Sequence, residues 1–487
     1  MKGFIITLLS STLILIGLMS ATIMRSTTST NVLGSSSTTQ PFASALPLTN
    51  TEDSTSTQPS YLEAIKKGDI FFKENHFTLA TNEYQKASML EPNLAEPFFK
   101  LGKAYFADEH YQEALQSLTS ATKNNPTDIE AQVLLGRTLL KLGQIETAFK
   151  YFEQINSTTP IVIYYRAIIN VYQSNYEQAR AYFESLTTTA NQDAETTRKA
   201  QIYLNSMAEY ASAQDPNPNY IRTLMARSFE ETAEHDLAKS LLYDVLKEEP
   251  DYRDAWKLLG YAYLQEKSYT EAQEALFKAV TLDPTKAETR YLLGLSYFGL
   301  QDFKSAAQQF ELALQSGFQP VTEIYPKLGE ADIALGEYLK AAEVYEKLLL
   351  IDQSDLNWFV KPVWLYIEPL SNPKKALEWS QKALSYYPNA ALSYNLVGWA
   401  QIDNEQWDEA EKNLNYAIIL DPNLAAAYLN YAFVFEHKND KEQAKEYFKR
   451  AYTLDPNGSI GNLGASNYNR LVQEDTEIFK ENPPSNS

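Results

Sequence analysis

A chain of 487 residues with 62 Asp and Glu against 42 Lys and Arg carries a formal charge of −20, and it contains no cysteine. That balance excludes the clustered basic surface that nucleic acid demands. The lack of cysteine excludes disulfides, thiolate metal sites and lipidation at a cysteine.

The chain opens on Gly3–Met24, 22 uncharged residues in a row. At about 1.5 Å per residue they span roughly 33 Å as a helix, against about 30 Å of bilayer hydrocarbon. A secretory signal has an apolar stretch of only about 7–15 residues, and Ala43-Ser44-Ala45 lies too far downstream to be its cleavage site. Residues 1–25 are therefore expected to be a single transmembrane anchor, with a removed signal sequence as the alternative. Lys2 and the amino terminus stand against Arg25 alone, a slight positive-inside bias that puts the rest of the chain outside the cytoplasm. A cytoplasmic placement is the alternative. Residues 26–60, about half Ser and Thr, cannot bury enough surface to offset ordering entropy and read as a disordered linker. As a flexible coil its ends sit on the order of 35 Å apart.

Beyond the linker, Pro92, Pro126, Pro160, Pro250, Pro284, Pro388, Pro422 and Pro456 recur mostly 34 residues apart. A fixed period of that length means stacked supersecondary units in place of one compact core, and it overrides the three or so domains that length alone suggests. Other columns keep the same register. Trp256, Leu259, Gly260, Tyr263, Tyr269, Ala272, Leu276 and Ala279 find counterparts in Phe98, Leu101, Gly102, Tyr105, Tyr111, Ala114, Leu118 and Ala121. Apolar residues at i, i+3, i+4 and i+7 in each half predict two amphipathic helices per block. The glycine in the first helix costs roughly 1 kcal/mol of helix propensity against Ala, which close approach of the second helix offsets. Each proline is expected to end the second helix and begin the next turn.

These columns resemble those of the tetratricopeptide repeat, a helix–turn–helix unit of this length and small/large alternation. The resemblance covers eleven candidate units from 61 to 456, with small-residue columns at Gly68, Gly102, Gly136, Ala167, Ala226, Gly260, Gly294, Gly329, Trp364, Gly398 and Ala432. It implies an all-α fold, a right-handed α-solenoid of stacked units preceded by the transmembrane helix and the tether. Residues 61–189 form the N-terminal part of the array and 219–456 the C-terminal part. Between them 190–218 offers one helix, Ala194–Ala213, and then the breaker run Asp215-Pro216-Asn217-Pro218, a possible hinge. Residues 357–388 fit weakly, because Trp364 replaces the small residue and Pro362, Pro369 and Pro373 crowd the helix. Residues 457–487 are expected to give a capping helix near Asn467–Lys480 and a disordered tail.

The chemistry of an enzyme is not visible. His76 and His110 lie one period apart with Glu74, Asp108 and Glu109 nearby, but no further ligand completes a metal set. No phosphate-cradling loop, nucleophile elbow or H-E-x-x-H motif occurs. The carboxylate pairs Glu230–Glu231 and Glu248–Glu249 read as solvated helix ends. Neither a cofactor nor a catalytic residue is expected.

The resemblance further implies that the first helix of each unit lines a concave surface. Its open face carries Tyr164, Lys257, Tyr261, Tyr291, Phe298, Asn395, Trp399 and Phe433, with Ile168 and Leu429. Family members that bind acidic chaperone tails use Lys, Asn and Arg there; in this chain Lys103, Arg137 and Arg227 are scattered and no complete clamp forms. The aromatic residues suggest a groove that grips apolar side chains of a protein segment. The expected function is a membrane-tethered scaffold or adaptor that binds other proteins or peptides, with no nucleic acid and no small-molecule substrate evident. A regulatory arm of an enzyme complex and a self-assembling structural solenoid are the alternatives.

Overall fold

The computed structural model describes residues 60–188, 193–213 and 217–481. The expected anchor (1–25), nearly all of the expected linker (26–60) and the last residues of the tail lie outside the described residues. Every regular element among the described residues is an α-helix, 24 in all. None of them is long and apolar enough to cross a membrane.

The helices divide between two compact units that part at Pro284 and Thr285. The first unit contains the pairs α1 (Tyr61–Lys73) and α2 (Phe77–Leu90), α3 (Ala95–Ala107) and α4 (Tyr111–Asn124), α5 (Ile129–Lys141) and α6 (Ile145–Gln154), and α7 (Pro160–Tyr172) and α8 (Tyr176–Thr188). The single helix α9 (Ala194–Ala211) follows, then α10 (Pro218–Glu231) with α11 (His235–Glu248) and α12 (Arg253–Gln265) with α13 (Tyr269–Leu282). The second unit contains α14 (Ala287–Gly299) with α15 (Phe303–Gln315), α16 (Val321–Ala334) with α17 (Tyr338–Ile351), α18 (Asn357–Ile367) with α19 (Pro373–Tyr386), α20 (Ala391–Asp403) with α21 (Trp407–Leu420), and α22 (Ala425–His437) with α23 (Lys441–Leu454). It ends on α24 (Ser459–Glu481). Each unit is an all-α stack of helix pairs.

Within a pair the two helices meet at the glycine column. A Cβ added to Gly102 would lie 2.6 Å from Cγ of Leu118, and one added to Gly398 would lie 2.5 Å from Cγ of Leu414. The facing alanines Ala114, Ala148, Ala272, Ala306, Ala341 and Ala410 are fully buried. The turn inside a pair is also repeated. In the first, the N–H of His76 donates to the carbonyl of Phe71 (2.8 Å) and that of Asn75 to Phe72 (3.1 Å), with Asn75 at φ 60°. This pair of hydrogen bonds, from the left-handed residue and the one after it, closes the exposed carbonyls at a helix end. The same turn recurs at Glu109, Gly143, Ser174, Ala233, Lys267, Gln301, Gly336, Glu405 and Asn439. Most of these left-handed positions are not glycine, so sequence gave them no mark. The prolines vary in role: Pro92 and Pro126 follow a second helix, whereas Pro160, Pro218 and Pro373 stand in the first turn of their helices, where the missing N–H is not needed.

The unpaired helix α9 belongs to the core of the first unit. The ring of Tyr203 stacks on Phe183 with centroids 4.6 Å apart, and its hydroxyl lies 2.9 Å from Oγ1 of Thr232. The weakly matching stretch still gives a helix pair. Where the glycine column places Trp364, the indole turns edge-on toward Tyr338 and its Nε1 donates to Glu368 (3.1 Å). The capping helix begins at Ser459, earlier than expected, and takes Gly461 and Gly464 into its first turns. A Cβ on Gly464 would lie 2.6 Å from the carbonyl oxygen of Phe448; glycine is what lets α24 sit on α23.

Candidate interaction groove

On the first helix of each pair, the residues three before, one after and four after the small column share one face, since positions four and seven apart line up along a helix. In the first unit this face carries Phe72 on α1, Lys103 and Phe106 on α3, and Val133 and Arg137 on α5. Together with Ile161 on α7 they line a cavity of about 510 Å³. Its floor is apolar and its rim is cationic. The guanidinium of Arg137 lies 5.1 Å from the centroid of the Phe106 ring, and Nζ of Lys103 lies 5.7 Å from that of Phe99. Lys103 also pairs with Glu130 (3.2 Å).

A recess of about 70 Å³ adjoins this cavity and shares Phe106 and Arg137 with it. Lys141, Lys199, Thr232, Glu234 and Asp236 complete its polar wall. Lys141 donates to Asp236 (3.0 Å), and the hydroxyl of Tyr165 donates to Glu234 (3.4 Å). Burial pushes the Glu234 carboxyl above the ordinary carboxylate range, against the opposing pull of Lys199, Arg137 and Lys141. Behind it, Nδ1 of His235 lies 2.7 Å from Glu230, whose hydrogen bond raises the imidazole above its usual range.

The residues expected on the open face are divided between the units. Tyr164 is a correction: it is fully buried, its ring edge-on to Tyr165 and 6.3 Å from that of Tyr203, with a hydroxyl that has no hydrogen-bond partner. Ile168 is equally buried. The cause is α9, which has no counterpart in the repeat and covers this stretch of α7. In the same unit Lys257 is half-buried, and Tyr261 is exposed with its hydroxyl accepting from Gln265 (2.6 Å).

In the second unit Tyr291 is half-buried against Phe318 and Phe310, at 4.4 and 5.9 Å between centroids. Phe298 lies edge-on to Phe303, with Nζ of Lys327 5.1 Å from its centroid. Asn395 is a second correction: it is buried, and its Oδ1 accepts from Nδ2 of Asn430 (2.9 Å). Leu429 is buried as well. Trp399 is half-buried, and Phe433 packs edge-on to Phe448 at 5.1 Å.

The structure also gathers what sequence reading left scattered. Lys103 and Arg137 stand one period apart, as do Phe72 and Phe106, so each pair occupies one position on neighbouring first helices. The signal was the spacing itself. Among the described residues no group of three His, Asp or Glu could hold a metal ion. The groove can take apolar side chains on its floor and anionic groups at its rim.

Comparison with known proteins agrees with the helix pairs. Models of the tetratricopeptide repeat match residues 68–109, 105–167, 249–301, 287–316 and 397–459. A TPR repeat-containing protein of Methanocaldococcus jannaschii is 23% identical over 412 residues, which cover 82% of this chain and 70% of the relative. The peroxisomal targeting signal receptor of Candida albicans is 23% identical over 280 residues, 57% of this chain and 44% of the receptor. The chain thus spans more than two thirds of the first relative's length and less than half of the second's. The crystal structure of the APC/C heterotetramer Cut9–Hcn1 is similar at 16% identity, with 85% of this chain and 96% of that one covered and a TM-score of 0.32. With repeat models falling in both units and helix pairs under each match, the matched stretches are tetratricopeptide repeats.

Proposed function

We propose that this protein is a membrane-tethered scaffold that holds protein partners against the open faces of its first helices. The observation that carries the reading is the apolar cavity between α1, α3, α5 and α7, of a size typical for a binding site at roughly 300–1,000 Å³, with Lys103 and Arg137 at its rim. Large rings beside Arg are the residue types that anchor protein interfaces. Tetratricopeptide-repeat proteins commonly mediate such contacts, and relatives of this chain include a targeting-signal receptor and a subunit of a multiprotein complex. The half-exposed rings of Phe298, Trp399 and Phe433 give the second unit an apolar face of its own. The proposed anchor is Gly3–Met24, with 26–60 as its tether, and the charges at the ends of the anchor favour repeats outside the cytoplasm.

Crosslinked capture from native membranes tests the partner function. Phe106→Ala with Arg137→Ala is expected to lose partners that the native chain retains while keeping its helical signal and melting temperature; unchanged capture overturns the groove. Protease treatment of intact cells tests the side. Cleavage of the repeats is expected, and full protection refutes the outward orientation.

A further inference from the structure

In a chain of net charge −20, the walls around Phe106 are locally cationic. Lys103, Arg137, Lys141 and Lys199 face Glu130, Glu234 and Asp236 across the cavity and its recess. Two of the carboxylates are already engaged, Glu130 by Lys103 and Asp236 by Lys141. Arg137 has no carboxylate within ion-pair distance among the described residues, and Lys199 has only Glu195, at 4.0 Å. The third carboxylate, Glu234, is mostly enclosed and held toward its neutral form by burial. Two cations are therefore left to a guest, at the point where an apolar cavity of about 510 Å³ meets a polar recess of about 70 Å³. A recess of that size accommodates a terminal carboxylate and leaves no room for chain beyond it.

We infer that these joined cavities bind a small amphipathic acid of the fatty-acid class, its apolar chain along Phe72, Phe106, Val133 and Ile161 and its carboxylate between Arg137 and Lys199. The chain gains by leaving water, and the head gains charge-assisted hydrogen bonds in an enclosed place. The site is assembled from α1, α3, α5, α7, α9 and α11 of the first unit, so the extra helix α9 supplies one of the two cations. The inference stands whether or not the groove also takes a protein segment.

Glu234 makes the binding pH-sensitive. It faces Arg137 and Lys141 from α5, Tyr164 and Tyr165 from α7, and Lys199 and Tyr203 from α9, with Asp236 on the same wall, while its chain neighbour His235 is paired with Glu230. When ionised it repels the guest carboxylate; when protonated it can donate to it. Binding thus takes up a proton at Glu234 and strengthens as pH falls through the titration of that group, until the guest itself is protonated.

Calorimetric titration of the full chain with decanoate tests this, with decanol and decylamine as neutral and cationic controls. Saturable binding of decanoate is expected, about tenfold or more weaker for Arg137→Gln and for Lys199→Gln, as loss of one charge-assisted bond implies. Binding is expected to tighten as pH falls through the titration of Glu234 in the native chain, and to lose that dependence in Glu234→Gln. Circular dichroism identifies any variant that fails to fold, and Arg137→Lys, which keeps the charge, is expected to bind better than Arg137→Gln. The inference is overturned if decanoate shows no saturable binding, if decylamine binds as well, or if neither cation matters in folded variants. A peptide with a free C-terminus that binds where decanoate does not also overturns it, and that result leaves the protein-partner reading standing.

Discussion

Nζ of Lys141 lies 3.0 Å from Oδ2 of Asp236, a residue 95 positions further along the chain. The bond joins α5 to α11, with α6 to α10 between them in the chain. In a plain stack each repeat touches only its neighbours; here two helix pairs that are not adjacent in the chain are tied together beside the recess. Burial alone would lower the Lys141 ammonium, but Asp236 and its hydrogen bond outweigh that and raise it. Both side chains are about one third exposed, so their coupling is expected to be modest, about 0.2–1 kcal/mol. A double-mutant cycle with Lys141→Met and Asp236→Asn measures it by urea unfolding, and the coupling should shrink in high salt.

The repeated turns offer a way to stabilise the chain. Lys267 and Gln301 sit at φ 59° and 62°, a left-handed conformation that costs a side-chain-bearing residue roughly 1–2 kcal/mol. Glycine removes that cost and gives back part of it as unfolded-chain entropy. Lys267→Gly and Gln301→Gly are each expected to stabilise by up to about 1 kcal/mol, read as a higher urea midpoint. Destabilisation by either would contradict the turn geometry.

The opposite holds at the glycine column. A Cβ on Gly294 would lie 2.5 Å from Cε1 of Phe310, a fully buried ring packed against Tyr291. Gly294→Ala gains about 1 kcal/mol of helix propensity but overpacks a close contact, which costs typically about 1–3 kcal/mol. Net destabilisation is expected, and Phe310→Leu in the same chain should recover part of it.

Asp332 on α16 gives the second unit a pH signature. It is 3% exposed, and its carboxyl is pushed up to about 6 by burial first and then by Glu311 and Glu337. An Asp in the unfolded chain titrates near about 3.9, so between these values the native state holds the extra proton. Stability from this group therefore rises as pH falls from above about 6 toward about 4. Asp332→Asn is expected to stabilise the chain near about pH 8, on the order of 1–2 kcal/mol, and to flatten the gain seen in the native chain on acidification.

The 34-residue beat made the helix pairs legible because the same packing problem recurs in every unit: Gly102 meets Leu118 as Gly398 meets Leu414. It also marked Ala194 onward as a helix outside the pattern. What it could not supply was the consequence of that helix. Tyr164 and Ile168 occupy open-face positions in the repeat, yet α9 lies over them, and only the three-dimensional path of the chain decides that. Asn395 was misread for a related reason, since the residue that binds it, Asn430, comes from the next first helix. Lys103 and Arg137 carried a legible signal in their spacing, but only when read down the column instead of along the chain.

The central claim is that partners lie in the groove beside Phe106. A photo-crosslinking amino acid placed at Phe106 in the full chain, with a second variant at Phe277, tests it in the native cell. Phe277 on α13 is 55% exposed and lines neither cavity, so it reports chance encounters. A discrete crosslinked protein from position 106, absent from position 277 and lost on Arg137→Ala, is the predicted result. Crosslinks from position 277 alone, or equal yields from both, would contradict it.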